Sequence, residues 1–238
     1  LMPEKIPSDL FASFWKYGLK DLHYPDEKFK ETIQKIDDVI QKETKDGKPE
    51  TEIQQFKEIL ENVKDNAAKQ EQKIIDIRDE LNSICQDWFN EDLNEDIYLR
   101  FAHFCVMKRI IISKLDPIYS ANFVFLLAHL QNSQFDLMKF VLVFLSKIHF
   151  IIMSRTVTES NLFGAFIKNI LMYFDDQGDI KEIIDVHSYF LQKIAILFER
   201  KETMFITVNV INFLNTIQDY FPKRTEHKNF ILDQLKLI

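Results

Sequence analysis

The sequence predicts an all-α protein in which a long coiled-coil helical hairpin leads into a HEAT-like α-solenoid or helical body. An apolar residue recurs at alternating steps of three and four along Ile53, Phe56, Leu60, Val63, Ala67, Gln70, Ile74, Ile77, Leu81, Ile84 and Trp88, with Gln70 the polar exception. That series is the seam of a coiled-coil helix. Only four Gly and six Pro occur in 238 residues, and the Pro fall near apparent element ends, which favours long helices over a turn-rich β architecture. From Asn94 onward the chain becomes dense in aliphatic residues and Phe with short interruptions, as in helices joined by tight turns.

At the N-terminal end, Ser8 or Asp9 can cap a short helix running to Lys16, with Phe11, Phe14 and Trp15 as its apolar stripe and Gly18 as its stop. Pro25 suits a helix start, where its missing N–H costs nothing. The helix it opens carries Phe29, Ile33, Ile36 and Ile40 in heptad steps, and KDGKPE at Lys45–Glu50 reads as a turn. The next helix, from Pro49 to Trp88, would be roughly 60 Å long. Ile53, Phe56, Leu60 and Val63 in its first half face Phe29, Ile33, Ile36 and Ile40 as an antiparallel hairpin, while its second half must dock elsewhere. Gln70 and Ala67 mark either a defect tolerated by a long coil or the point where the helix changes partner.

Beyond Asn94, breaks at Asp116–Pro117, Asn132–Ser133, Thr156–Thr158, Asp175–Gly178, Lys201–Glu202 and Pro222–Arg224 divide the chain into six or seven helices. No repeat of fixed period aligns, so the HEAT-like form is an architectural expectation. The chain accordingly divides into residues 1–24, a short helix packing on the body; residues 25–92, the coiled-coil hairpin with its long second helix; and residues 93–238, the helical body.

The apolar run Phe140–Met153 is interrupted by Lys147 and His149 and falls short of the roughly 20 residues that span a bilayer; it reads as a buried core helix. No apolar h-region marks a signal peptide, and Leu1 ahead of Met2 points to a natural N-terminus upstream. The net charge of −7 is uneven: residues 1–99 carry 14 Lys and Arg against 24 Asp and Glu, and residues 100–238 carry 16 against 13. An acidic first half is a poor phosphate binder. Two cysteines, Cys85 and Cys105, fit a reducing compartment without a disulfide framework.

Catalytic and metal chemistry find little to work with. No H-x-x-x-H, H-E-x-x-H or C-x-x-C spacing occurs, and His103 and Cys105, two apart on a helix, point in different directions. His129 and His149 lie among aliphatic and aromatic neighbours as polar edges of core helices. Neither cysteine has an activating base beside it, and Ser8, Ser133 and Ser160 read as caps. No enzyme activity, metal or cofactor is expected. Lys108, Arg109 and Lys114, and further on Lys223 and Arg224, could meet phosphates of an RNA or a partner. The simpler reading is that they cap helix C-termini, since no aromatic is interleaved on the same face.

LFASFWKYGLKDLHYPDEKFKETIQKI at Leu10–Ile36, FAHFCVMKRIIISKLDPIYSANFVFLLAHL at Phe101–Leu130, TESNLFGAFIKNIL at Thr158–Leu171 and VINFLNTIQDYFP at Val210–Pro222 together resemble the C-terminal helical region of the large scaffold subunit, subunit 2, of the THO complex. The first is similar in its Phe-Trp pair and in the Pro that starts a helix. The second is the more specific, with Cys105, Arg109, Asp116, Tyr119 and Phe123 at matching positions. Two departures are the short connection at Tyr173–Asp179, where the family often has a longer polar one, and Lys108, where the family has Pro. The resemblance implies a nuclear scaffold of the transcription–export assembly, with other THO subunits and a DEAD-box ATPase as partners, a minor role at most for direct RNA contact, and no membrane association. A free-standing helical adaptor that binds peptides or lipids through a groove of the body is the alternative.

Overall fold

The helices follow from short local signals and then from a shared core. In the computed structural model the described residues are 6–89, 95–177, 180–199, 204–222 and 225–235, and they contain helices and turns with no strand among them. Helix α1, Ser8–Lys16, has Pro7 at its N-cap position and no side-chain cap. Ser8 and Asp9 therefore lie inside the first turn, where Asp9 favours the positive end of the helix dipole. Gly18 opens the next element instead of closing this one. Its N–H donates to Asp21 Oδ2 at 2.8 Å, which starts α2, Leu19–Leu22.

Helix α3, Asp26–Lys45, begins after Pro25, and α4, Glu50–Ile84, follows a turn in which Gly47 takes φ 70°. A side chain there would be strained. Lys48 ties the turn to both helices through Glu43 at 2.9 Å and Glu52 at 3.7 Å. Within α4 up to Leu81, the residues withdrawn from solvent are Ile53, Phe56, Leu60, Val63, Ala67, Gln70, Ile74, Ile77 and Leu81. On α3, Phe29, Ile33, Ile36 and Ile40 are half-buried, and α3 packs along α4.

The 3–4 series stops earlier than its sequence suggests. Ile84 is 40% exposed, whereas Cys85 and Trp88 are buried. Trp88 N–H closes a tight turn on the Cys85 carbonyl at 3.1 Å, so α4 ends as Cys85, Trp88 and Phe89 enter the core. At 20 residues α3 can accompany only part of the 35-residue α4. The rest of α4 changes partner where Gln70 stands. Its Nε2 donates to the His23 carbonyl at 3.2 Å, Lys73 pairs with Asp21 at 2.7 Å, and Lys16 and Tyr17 both reach Glu80, at 2.6 and 2.9 Å.

The body opens with α5, Glu95–Phe101, which runs through a π-helical turn, Ala102–Val106, into α6, Met107–Ile110. Next come α7, Asp116–His129, and the pair α8, Leu137–Ser146, and α9, Ile148–Met153. The long helices α10, Val157–Gln177, and α11, Ile180–Glu199, precede α12, Met204–Ile217, and α13, Thr225–Leu235. The apolar run Phe140–Met153 is thus two helices and not one. Ser146 Oγ donates to the Val143 carbonyl at 2.7 Å and Lys147 N–H to Phe144 at 3.1 Å, a tightened turn that ends α8 without Gly or Pro. Helix α10 begins with a reciprocal capping box: Thr156 N–H donates to Glu159 Oε2 at 2.9 Å and Glu159 N–H to Thr156 Oγ1 at 3.3 Å.

Packing joins elements that skip one or two neighbours. Helix α5 lies on α8, α7 on α10, α11 on α8 and α9, and α12 on α10. Helices α10 and α12 approach closely at Gly164, where an added Cβ would stand 2.9 Å from Thr216 Cβ; any side chain at 164 would push them apart. Tyr173 stacks on Phe125 at 4.2 Å, fixing α10 to α7. Asn209 of α12, fully buried, donates to the carbonyls of Ile152 and Arg155 at 3.3 and 2.6 Å.

Candidate functional site

The most organised polar group in the molecule joins the N-terminal helix to the body. Arg109 on α6 is buried. Its Nε donates to Asp116 Oδ1 at 2.9 Å, its guanidinium donates to the carbonyls of Phe14 and Tyr17, the latter at 2.7 Å, and it lies 3.5 Å above the centre of the Tyr119 ring. Tyr119 Oη adds a hydrogen bond to the Phe14 carbonyl at 2.8 Å. Those carbonyls belong to the end of α1, where helix geometry leaves them without backbone donors, so Arg109 caps α1 from across the fold. Around this polar knot Phe14 sits 5.0 Å from Phe123 and 5.5 Å from Phe101, both edge-on. Burial pushes the Tyr119 hydroxyl well above its ordinary range, against the opposing charge of Arg109. The phenol therefore stays a neutral donor.

The predicted basic residues that are described differ in burial. Arg109 points into the core, where each of its three side-chain nitrogens donates to a protein oxygen, and is not available to a phosphate. Lys108 and Lys114 are exposed, while Lys223 and Arg224 lie outside the described residues. Sequence reasoning grouped Arg109 with its neighbours by charge and missed the joint. The available signal was that Arg109, Asp116, Tyr119 and Phe123 all stand in the one block, Phe101–Leu130, that carries the family resemblance. Of the hairpin residues, Ile53 and Leu60 are buried and Phe29, Ile33, Ile36, Ile40, Phe56 and Val63 half-buried.

Both thiols are buried, and burial alone pushes Cys105 up to about 12, far from a reactive thiolate. Burial likewise raises Cys85. Among the described residues no group of three or more His, Cys, Asp or Glu is placed to hold a metal, and no helix is long and apolar enough to cross a membrane. Grooves open on the body between α5 with its π turn and α9, about 490 Å³, and between α12 and α13, about 400 Å³.

Among the described residues the fold is helical, with polar groups that clamp helices to one another and grooves that open between them. The family model described as transcription factor/nuclear export subunit protein 2 matches residues 3–177, and the chain belongs to that family. It is 23% identical over 241 residues to THO complex subunit 2 of Saccharomyces cerevisiae, covering 98% of this chain and 14% of the yeast protein. It is also 25% identical over 160 residues to THO complex subunit 2 of Arabidopsis thaliana, covering 62% of this chain and 9% of that protein. The chain thus spans a small part of the length of these relatives.

Proposed function

We propose that this chain is a non-enzymatic scaffold segment of a THO complex in the nucleus, organising partner subunits and a DEAD-box ATPase for co-transcriptional mRNA packaging and export. The observation that carries this reading is the family match over residues 3–177, extended by the yeast relative along nearly the whole chain. The mechanism is geometric: a fixed set of helices holds partners at set spacing and biases the ATPase by binding one of its domain arrangements better than another. In this reading residues 25–92 act as a coiled-coil hairpin seamed by Phe29, Ile33, Ile36, Ile40, Ile53, Phe56, Leu60 and Val63. Residues 1–24 pack on the body, and residues 93–238 form a HEAT-like solenoid. The packing of elements that skip one or two neighbours supports the solenoid, since it sorts the body into two layers. Direct RNA contact is minor and falls to Lys108, Lys114, Lys223 and Arg224, since the Arg109 nitrogens are engaged within the fold.

An affinity pulldown of the chain from nuclear extract, with a hairpin-deleted control and identification by mass spectrometry, tests the assignment. Recovery of THO subunits or a DEAD-box ATPase is the expected result, and the control assigns the contact to hairpin or body. A monodisperse monomer that recovers neither would favour a free-standing adaptor, a reading to which the 490 Å³ groove lends some weight.

A further inference from the structure

We infer that the groove between α5 with its π turn and α9 is a docking slot for one amphipathic helix with acidic flanks, supplied by a partner protein. One wall presents Leu99, Arg100, His103, Phe104 and Met107, and the facing wall presents Lys147, Phe150, Ile151 and Ser154. Both follow the same alternation of steps of three and one, the ridge that a helix offers to another helix. Two such ridges flanking an open trough form the receptor half of helix-in-groove recognition. The π turn lies in the first wall. It buries Ala102, Cys105 and Val106 while His103 and Phe104, consecutive in the chain, both stay exposed toward the trough; such insertions into α-helices recur at functional sites.

Phe150 and Phe104, at 54% and 37% exposure, stand on opposite walls as apolar anchors left in water. The charge of the occupant follows from the lining. Arg100, Lys147 and Arg155 line the groove against the single carboxylate of Asp96, in a chain whose net charge is −7. Arg100 pairs with Asp96 and Arg155 with Glu159, but among the described residues Lys147 and His103 have no carboxylate partner. The surplus is positive and the floor apolar. An RNA strand would need more unpaired cations along a continuous track, whereas a helix with apolar residues at 3–4 spacing and Asp or Glu beside them matches both features.

This inference rests on the scaffold reading only in assigning the occupant to a partner chain. The probe is a fluorescein-labelled peptide of about 18 residues, five helical turns, with Leu and Phe at 3–4 spacing and Glu on the flanks. It is titrated with the full chain by anisotropy beside a twin carrying Lys for every Glu and a labelled oligouridine. The acidic peptide is expected to bind at least about tenfold tighter than its twin, and Phe150→Ala and Lys147→Glu each to weaken it about tenfold. Ile112→Ala, 63% exposed and outside the groove, should leave binding unchanged. The mutated positions are partly or largely exposed, and thermal melts of each variant exclude loss of fold. Equal binding of both peptides, no binding of either, affinity unmoved by the groove variants, or oligouridine as the ligand those variants abolish would each overturn the assignment. The pulldown of THO subunits can succeed or fail independently of every one of these results.

Discussion

Asp116 and the end of α1 take the donors of Arg109, and that commitment gives a single residue the work of holding the N-terminal helix to the body. Arg109→Ala would leave half-buried Asp116 without its cation and the Tyr17 carbonyl without its donor, with Tyr119 alone on the Phe14 carbonyl. Breaking such a pair costs about 3 kcal/mol, to be read as a lowered urea midpoint together with new proteolysis at Lys16, the basic residue of α1. Arg109→Lys restores the charge, but one ammonium cannot span a carboxylate and two carbonyls as a planar fork does. Most of the loss should persist, and full recovery by Lys would show that charge alone matters there. In the sequence this arginine is one of several cations after His103. Side-chain type cannot distinguish a charge that faces water from one that closes a helix end more than ninety residues away in the chain; only Asp116, Tyr119 and Phe123 in the same block hinted at it.

The long helix α4 reads easily because nearly every residue it withdraws from water obeys one period. Even Gln70, polar in an apolar series, marks a place: the helix exchanges α3 for the His23 backbone there. What the period hides is its end, since Cys85 and not Ile84 turns inward when the chain meets the core. The break between α8 and α9 was equally invisible, being made by ordinary Ser and Lys residues. Substituting Ile36→Asp puts a charge on the half-buried face of α3 and should cost about 2 kcal/mol locally. Hydrogen exchange should then quicken across residues 26–63 and not in α7 or α10; an unchanged profile would argue against the register. The base of α4 should respond to acid. Burial raises Asp21, but the Lys73 hydrogen bond, the Gly18 N–H and the charges of Lys73 and Lys20 outweigh it, so its carboxyl lies below the ordinary 3.8. Hydrogen bonds from Lys16 and Tyr17 hold Glu80 below 4.5. Both contributions are complete above those ordinary values and vanish as pH falls through the lower folded ones. Exchange protection of α1 and α2 should therefore drop below about pH 4, before that of α10, and protection that persists equally to lower pH would count against these pairs.

At the scale of the whole molecule the hairpin and the body share few obligations. The core cluster takes Ile77, Leu81, Cys85 and Trp88 from α4 and its exit but none of Ile53, Leu60 or Ala67. Deleting residues 26–63 should leave a body that melts cooperatively, because Gln70 already stands at His23 and the new junction spans little distance. Loss of a cooperative transition would show that the hairpin is part of the folding unit. The order of the body helices was readable from Asp-Pro, Asn-Ser and Thr-rich breaks, while the way elements skip one or two neighbours to pack was not, since adjacency in space is set by contacts between distant residues such as Gly164 and Thr216. The hairpin also has a mechanical consequence. From Gln70 to Gly47 the arm extends about 30 Å, clamped at its root by Lys73–Asp21 and Lys16–Glu80. It is a lever: a tilt of about 10° at that root sweeps its tip through about 5 Å, so a partner gripping the tip would register a movement of the N-terminal clamp enlarged to the size of a side chain.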